Sequence, residues 1–337
     1  GLAIASVAGC AGFGTINGSS LATTATIGLV ALPEMRQRGY SDALATGSVA
    51  AGGTLGQLIP PSGALIVFGI IAEQSIGKLF TAAIVPGVTQ MLSYFLVIVL
   101  LVGWRPHTAP RMPRASWADR LSALRRIIDI GLLVVLVTGG IAMGWVTPTE
   151  AAAVGAAGAI GVCAWRRKLD FASLRKACGE TLRTSGLIYL VIFGALIFGA
   201  FVSVTGLTDA VGAAIIGLGL GAIGTMLLVA VFLLLIGSVL DGLALMLLTT
   251  PILLPLVTDL GLSPIWFGIF LVRAMEIGFV HPPMGMNLYV IQGVAKDVSL
   301  GTIFKGVLPF LAADLVHLAL LVVFPAIALG LPEWLGT

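Results

Sequence analysis

The stretch Gly56-Gln57-Leu58-Ile59-Pro60-Pro61-Ser62-Gly63 decides the fold, because it interrupts the apolar region 42–72 midway. Two successive prolines remove two backbone N–H donors and stop an α-helix. Backbone groups freed in this way cannot remain facing lipid, so they must face protein, water or a ligand. The stretch therefore predicts a helix that is broken at membrane depth.

The same pattern occurs a second time, and Gly278 lies 222 positions after Gly56. Four features of the first copy recur with the same spacing in the second. Pro33, Gly39, Gly56 and Pro60-Pro61 correspond to Pro255, Gly261, Gly278 and Pro282-Pro283. Further matches join 75–80 to 299–304, Pro86 to Pro309 and, displaced by one residue, 14–18 to 237–242. Such a series indicates an internal repeat.

The composition places the repeat in a membrane. Of the 337 residues, 58% are hydrophobic and 10% are charged, with a mean hydropathy of +1.10, whereas soluble domains carry about 25% charged residues. The formal net charge of +3 and the basic residues in short connectors make nucleic acid an unexpected partner. The sequence contains no nucleophile–base–acid set, phosphate loop or metal-ligand spacing, and its three cysteines lack a CxxC pattern. We therefore expect an all-α integral membrane protein that is not an enzyme and has no cofactor.

Each repeat is interpreted as a re-entrant hairpin, a broken helix and a full span. The expected first repeat is 1–103, with a hairpin at 1–33, a broken helix at 42–72 and a span at 80–103. A linker, 104–126, and scaffold helices, 127–205, separate it from the second repeat, 206–328. That repeat has its hairpin at 212–257, its broken helix at 263–296 and its span at 306–328, and 329–337 forms a C-terminal tail. Hairpins made of two full spans each are the alternative.

Basic residues predict the orientation. With both hairpins re-entrant, sixteen of the eighteen basic residues fall on one side, while Lys78 falls opposite and Arg273 lies within a span. The basic side is cytoplasmic by the positive-inside rule, which makes the two repeats inverted. In the linker, Pro106, Pro110 and Pro113 precede a predicted amphipathic surface helix at 117–126, which we expect to anchor in membrane lipid.

The chain begins at Gly1, without methionine, inside an apolar stretch. By the repeat offset, the equivalent start of the first repeat lies roughly 95 residues earlier. We therefore expect a longer native protein with about three further scaffold helices.

Two hairpin tips and two helix breaks bring polar groups to mid-membrane. Free carbonyls and neutral side-chain oxygens suit a hard cation such as sodium, and half-helix N-termini attract carboxylates. The candidate cation ligands are Asn17, Ser19, Ser20, Gly56, Pro60, Asp241, Gly278 and His281. The candidate substrate-binding residues are Thr54, Ser62, Gly63, Gly285 and Asn287.

Some polar residues have a sufficient structural explanation. Arg273 and Glu276 are three apart and can pair on one helix face, and Asp314 and His317 are expected to pair in the same way. The order Thr147-Pro148-Thr149-Glu150 predicts a capping box that starts a helix.

The sequence also resembles a known family, the DctM-type large membrane subunit of tripartite ATP-independent periplasmic (TRAP) transporters. The resemblance covers essentially the whole chain through four ordered motifs, at 53–62, 73–80, 147–153 and 276–288. It implies sodium-driven, elevator-type uptake of an organic acid, such as a C4-dicarboxylate or sialic acid, across a bacterial inner membrane. It also implies two partners, a small DctQ-type membrane subunit and a periplasmic binding protein.

His281 departs from the family, which usually has threonine at this position. A threonine oxygen would suit sodium, so the composition of the second ion site stays open. Two further alternatives are a stand-alone ion-coupled anion carrier and a membrane scaffold or channel without coupled transport.

Overall fold

The computed structural model describes residues 1–110 and 116–336. Within them the chain is all-helical, without a strand, and forms fifteen α-helices and one 3-10 turn, Pro106–Thr108. The first five helices are α1 Leu2–Asn17, α2 Ser20–Gln37, α3 Asp42–Leu58, α4 Gly63–Ile71 and α5 Ile76–Trp104. The middle helices are α6 Trp117–Ala142, α7 Pro148–Trp165, α8 Phe171–Thr205 and α9 Leu207–Ile216. The remaining helices are α10 Gly221–Gly237, α11 Gly242–Asp259, α12 Pro264–Val280, α13 Met286–Val294, α14 Leu300–Val323 and α15 Ala326–Leu335.

Serine side chains start several of these helices. The Ser75 hydroxyl accepts a hydrogen bond from the Lys78 amide at 3.4 Å and begins α5. At the matching position of the sequence, Ser299 caps α14 through the Thr302 amide at 3.3 Å. Such a cap satisfies a backbone donor that the first helical turn leaves without a partner. Matching positions in the sequence therefore fix matching helix starts.

Four helices are long and apolar enough to cross a membrane, namely α5, α8, α11 and α14. Two bent pairs bring the number of candidate spans to six: α3 with α4, at 41°, and α9 with α10, at 119°. α12 and α13 are separated by the longer non-helical stretch 281–285.

Several helix bounds differ from those expected. α2 does not end at Pro33 but continues to Gln37 with Pro33 inside it, since one missing i→i−4 bond is tolerated in membrane helices. The surface helix expected at 117–126 is the start of the continuous helix α6; Pro113 lies outside the described residues. The last span ends at Val323, and most of the expected tail belongs to α15.

The chain divides into two compact units, Gly1–Arg111 with Phe198–Thr337, and Met112–Ile197. In the first unit α3 is almost wholly buried and packs against α1, α2 and α14. In the second unit α6 packs against α7, and an Arg166–Asp129 ion pair with an N···O distance of 2.5 Å joins them. The predicted capping box at the start of α7 is confirmed: the Glu150 amide donates to the Thr147 hydroxyl at 3.3 Å, and the Thr147 amide donates to the Glu150 carboxylate at 2.8 Å.

Candidate functional site

The tip of the first hairpin lies directly against the first helix break. A Cβ atom added to Gly14 would lie 2.3 Å from the Gly56 Cα, so the two backbones touch where α1 crosses α3. Gly18 has a left-handed conformation with a φ of 62°, and a Cβ there would lie 3.2 Å from the Gly63 nitrogen. These approaches bring Asn17–Ser20, at the tip, beside the Pro60-Pro61 break.

Polar groups at this tip already have local partners. The Asn17 Oδ1 atom accepts from the Ser19 amide at 2.7 Å and from the Thr23 hydroxyl at 3.2 Å. The Ser19 hydroxyl caps α2 by accepting from the Ala22 amide at 3.4 Å. Across the break, the Ser62 hydroxyl caps α4 through the Leu65 amide at 3.3 Å and donates to the Gln57 carbonyl. The tip is thus held in shape by the oxygen-bearing residues predicted to bind a cation.

The second hairpin, α10 and α11, approaches its break in the same way. A Cβ atom on Gly278 would lie 2.5 Å from the Gly237 carbonyl oxygen, and these two glycines are the repeat counterparts of Gly56 and Gly14. Asp241 is exposed and caps α11 by accepting from the Leu243 amide at 3.0 Å. The hairpin–break contact therefore occurs twice in the molecule.

His281 ends α12 inside the second break. Its carbonyl accepts from the Gly285 amide at 2.9 Å, which closes the loop between α12 and α13. Its ring Nδ1 atom is buried without a hydrogen-bond partner within the described residues. Gly285 lies so close to the Phe279 carbonyl that a Cβ would be 2.6 Å from its oxygen.

Asn287, on α13, bonds to residues of α2 and α3. Its side-chain nitrogen donates to the Ser20 hydroxyl at 2.8 Å and to the Ala50 carbonyl at 3.1 Å, and all of this is buried. A predicted substrate residue and a predicted cation residue are therefore in direct contact. Thr54, by contrast, lies in the core, where its hydroxyl is 3.2 Å from the Tyr94 hydroxyl.

A buried ionic network lies next to these breaks. The Arg273 guanidinium contacts Glu276 at 2.6 Å, as predicted, and also Asp314 on α14 at 2.9 Å. The expected Asp314–His317 pair is wrong: Asp314 also accepts from Gln90 and Tyr94, and the His317 Nε2 atom is 2.9 Å from the Thr89 hydroxyl. The sequence could have indicated this network, because ionised residues are rare within apolar spans. It could not have indicated the partners, since Asp314 and Gln90 are 224 positions apart.

Among the described residues, no group of three or more His, Cys, Asp or Glu side chains could hold a metal ion. Oxygen for a cation at the tips would come mainly from carbonyls, hydroxyls and amides, which suits a hard monovalent ion.

The apolar spans and the all-helical fold define a multi-pass membrane protein. Residues 1–327 match the family described as "Tripartite ATP-independent periplasmic transporter, DctM component", and the chain belongs to this family. It is therefore a transporter permease component and not an enzyme.

Three relatives illustrate the family. The chain is 36% identical to the C4-dicarboxylate TRAP transporter large permease protein DctM of Pseudomonas aeruginosa PAO1, over all of this chain and 78% of that protein. It is 34% identical to the protein of the same description from Rhodobacter capsulatus, over all of this chain and 79% of that protein. It is 36% identical to the isethionate TRAP transporter permease protein DctMQ of Oleidesulfovibrio alaskensis, over 97% of this chain and 51% of that protein.

Proposed function

We propose that this permease carries out sodium-coupled uptake of an organic acid across a bacterial inner membrane. The observation that carries the proposal is the repeated contact between a hairpin tip and a helix break, Gly14 with Gly56 and Gly237 with Gly278. Each contact brings carbonyl and side-chain oxygens to one place and is suited to hold a cation. The relatives named for C4-dicarboxylate and isethionate transport support a small organic anion as substrate.

In this proposal Asn17, Ser19, Ser20, Gly56 and Pro60 contribute to a first sodium site, and Asp241, Gly278 and His281 to a second. The substrate carboxylate lies between the breaks, near Ser62, Gly63, Gly285 and Asn287, where half-helix N-termini attract negative charge. Thr54, a candidate for the same role, contacts Tyr94 in the core and acts on the substrate only through the neighbouring break.

The proposed architecture is a pair of inverted repeats moving as an elevator. The length of α1 supports a re-entrant hairpin: its 16 residues, at about 1.5 Å each, extend roughly 24 Å, short of the ~30 Å hydrocarbon core.

The proposed partners are a periplasmic binding protein, which delivers the organic acid, and a small membrane subunit. The "tripartite" description of the family and the relative named DctMQ support both partners.

The test is uptake by proteoliposomes that contain the permease and its small subunit, with the binding protein and its radiolabelled ligand added outside. We expect uptake only when sodium is higher outside than inside, and only with the binding protein. Uptake without the binding protein would favour a stand-alone carrier, and uptake that ignores the sodium gradient would favour a channel; either result contradicts the proposal.

A further inference from the structure

The buried network around Arg273 has one cationic side chain for two acidic ones. The guanidinium contacts Glu276 at 2.6 Å and Asp314 at 2.9 Å, and the three side chains are at most 1% exposed. With both carboxylates ionised, the network carries one uncompensated negative charge. A buried charge of this kind is strongly unfavourable unless a counter-charge accompanies it.

Hydrogen bonding indicates that Asp314 is ionised. A single oxygen, Oδ1, accepts from the Arg273 Nη2 atom, from the Gln90 side-chain nitrogen at 2.5 Å and from the Tyr94 hydroxyl at 2.6 Å. A protonated carboxyl would use its acceptors less fully, whereas three donors on one oxygen match a carboxylate. Glu276 is paired with the same guanidinium through its Oε2 atom.

Among residues 1–110 and 116–336, three buried oxygen atoms of the same network have no hydrogen-bond partner. They are Glu276 Oε1, Asp314 Oδ2 and Gln90 Oε1. All three are acceptors, and the Gln90 oxygen belongs to a side chain with no exposed surface. The unpartnered Arg273 Nε is a donor, but its guanidinium already serves both carboxylates. One cation bound by these oxygens would supply both the missing positive charge and their missing partner.

In the part of the chain that the structure describes, no second cationic side chain bonds to the network. Asp314 meets Tyr94 and Gln90 from α5, while His317 on α14 bonds Thr89. Tyr94 in turn contacts Thr54 on α3. Thr54 is the repeat counterpart of Glu276, and each precedes its glycine at the break, Gly56 or Gly278, by two residues. The network thus joins the two helix breaks.

We propose that Glu276, Asp314 and Gln90 form a binding site for one monovalent metal cation, for which sodium is the fitting ion. Hard oxygen ligands suit sodium, and a divalent ion would leave an excess positive charge. The site is additional to the two hairpin-tip sites and rests on the proposed function only for the choice of sodium. Through this site, ion binding at one helix break can affect ion binding at the other.

The test counts bound ions without transport. Purified permease in detergent is equilibrated with radioactive sodium, and the number of ions bound per chain at saturation is measured. Asp314→Asn leaves one acidic group for one guanidinium, so we expect one sodium ion fewer per chain than in the parent. Ser93→Ala, on the same helix as Gln90, is the control. It removes a hydroxyl that bonds the backbone carbonyl of Gln90 and not its side chain, so this variant should bind as many sodium ions as the parent.

A second variant covers the case in which Asp314→Asn does not fold. Gln90→Met keeps every charge but removes one of the three oxygens, and one of the bound ions should then bind several-fold more weakly. If Asp314→Asn folds and binds as many sodium ions per chain as the parent, the proposal is wrong. If Asp314→Asn does not fold, the proposal is wrong when the sodium-binding isotherm of Gln90→Met equals that of the parent. Because uptake is not measured, these outcomes do not depend on whether transport is sodium-coupled.

Discussion

The amide of Asn17, at the first hairpin tip, is proposed to offer oxygen to an ion at the first break. Its Oδ1 atom has two donors within the tip, the Ser19 amide and the Thr23 hydroxyl, at 2.7 and 3.2 Å. The residue is exposed. A cation bound here would therefore share an oxygen that also holds the tip in shape.

We predict that Asn17→Ala raises the sodium concentration for half-maximal uptake roughly tenfold, because one oxygen contact to a charged group is worth about 1.4 kcal/mol or more. Thr15→Val is the matched control, since within the described residues the Thr15 hydroxyl bonds only the Gly12 carbonyl of its own helix, at 2.7 Å. The measurement is sodium-dependent uptake in proteoliposomes. Equal sodium dependence in parent and Asn17→Ala would remove Asn17 from the site.

His281 provides a second test at the scale of one residue. An imidazole nitrogen is a poorer ligand for sodium than a hydroxyl oxygen, so His281→Thr should lower the sodium concentration for half-maximal uptake. His281→Val controls for the shape of threonine without its oxygen. If the threonine and valine variants respond to sodium identically, the side chain at this position is not a ligand.

The sequence predicted contacts between residues three positions apart, but it did not predict contacts between distant residues. The Thr147 capping box and the Arg273–Glu276 pair follow from spacings of three residues, which a helix converts directly into contact. The Arg273–Asp314 and Asn287–Ser20 contacts join residues 41 and 267 positions apart. Their pairing depends on how α12, α13 and α14 pack against the first repeat, which periodicity alone does not contain.

At the scale of helices, glycine sets how closely a hairpin approaches its break. We predict that Gly14→Ala lowers the free energy of unfolding by roughly 1–3 kcal/mol, because a methyl group pressed against backbone must displace it; here the new Cβ would lie 2.3 Å from the Gly56 Cα. Gly12→Ala, on the same helix with nothing within 4 Å, should be neutral or slightly stabilising. Thermal unfolding in detergent compares the two variants, and similar midpoints would contradict the close contact.

An ion pair joins the end of α2 to the loop before α14. Arg36 contacts Asp297 through two hydrogen bonds, at 3.1 and 2.5 Å, and Asp42 at 2.8 Å. The hydrogen bond from Arg36 lowers the pKa of the exposed Asp297 carboxyl from its ordinary value of 3.8. A carboxyl with a lowered pKa stabilises the fold above its ordinary pKa, and this contribution is lost as pH falls through the lowered value.

We therefore expect Asp297→Asn to be slightly less stable than the parent at neutral pH, and the difference to disappear in acid as pH falls below the lowered pKa of Asp297. Both groups are solvent-screened, so the difference is small. Thermal midpoints of parent and variant at several pH values measure it. A difference that persists unchanged in strong acid would show that the carboxylate charge is not its cause.

Helix starts and breaks were easier to predict than helix ends. The break at 59–62, the start of α3 at Asp42 and the starts of α5 and α14 carry proline or serine signals. For α2 the proline signal was misleading, because the helix continues past Pro33 and ends at Gln37. In a membrane helix, the missing hydrogen bond of a proline is compensated by neighbouring packing, so proline is a weaker stop signal there than in water.

For the whole molecule, the repeat relation accounts for where the polar groups meet. The pairs Gly14–Gly56 and Gly237–Gly278 touch in matching ways, and the buried network lies where the spans α5 and α14 meet α3 and α12. The internal repeat stays a prediction from the sequence, and the sequence did not predict the contacts between its two halves. Those contacts depend on the direction in which each repeat crosses the membrane.

That direction is testable with single cysteines in a protein whose Cys10, Cys163 and Cys178 are replaced by serine. Lys78, in the first turn of α5, and Lys168, in the connector between α7 and α8, are both exposed. The distribution of basic residues predicts them on opposite sides, with Lys168 cytoplasmic. A membrane-impermeant maleimide should label Lys78→Cys in cells with a permeabilised outer membrane, and Lys168→Cys only after the inner membrane is opened. Labelling of both from the same side would contradict the predicted orientation, and with it the inversion of the two repeats on which the paired cation sites depend.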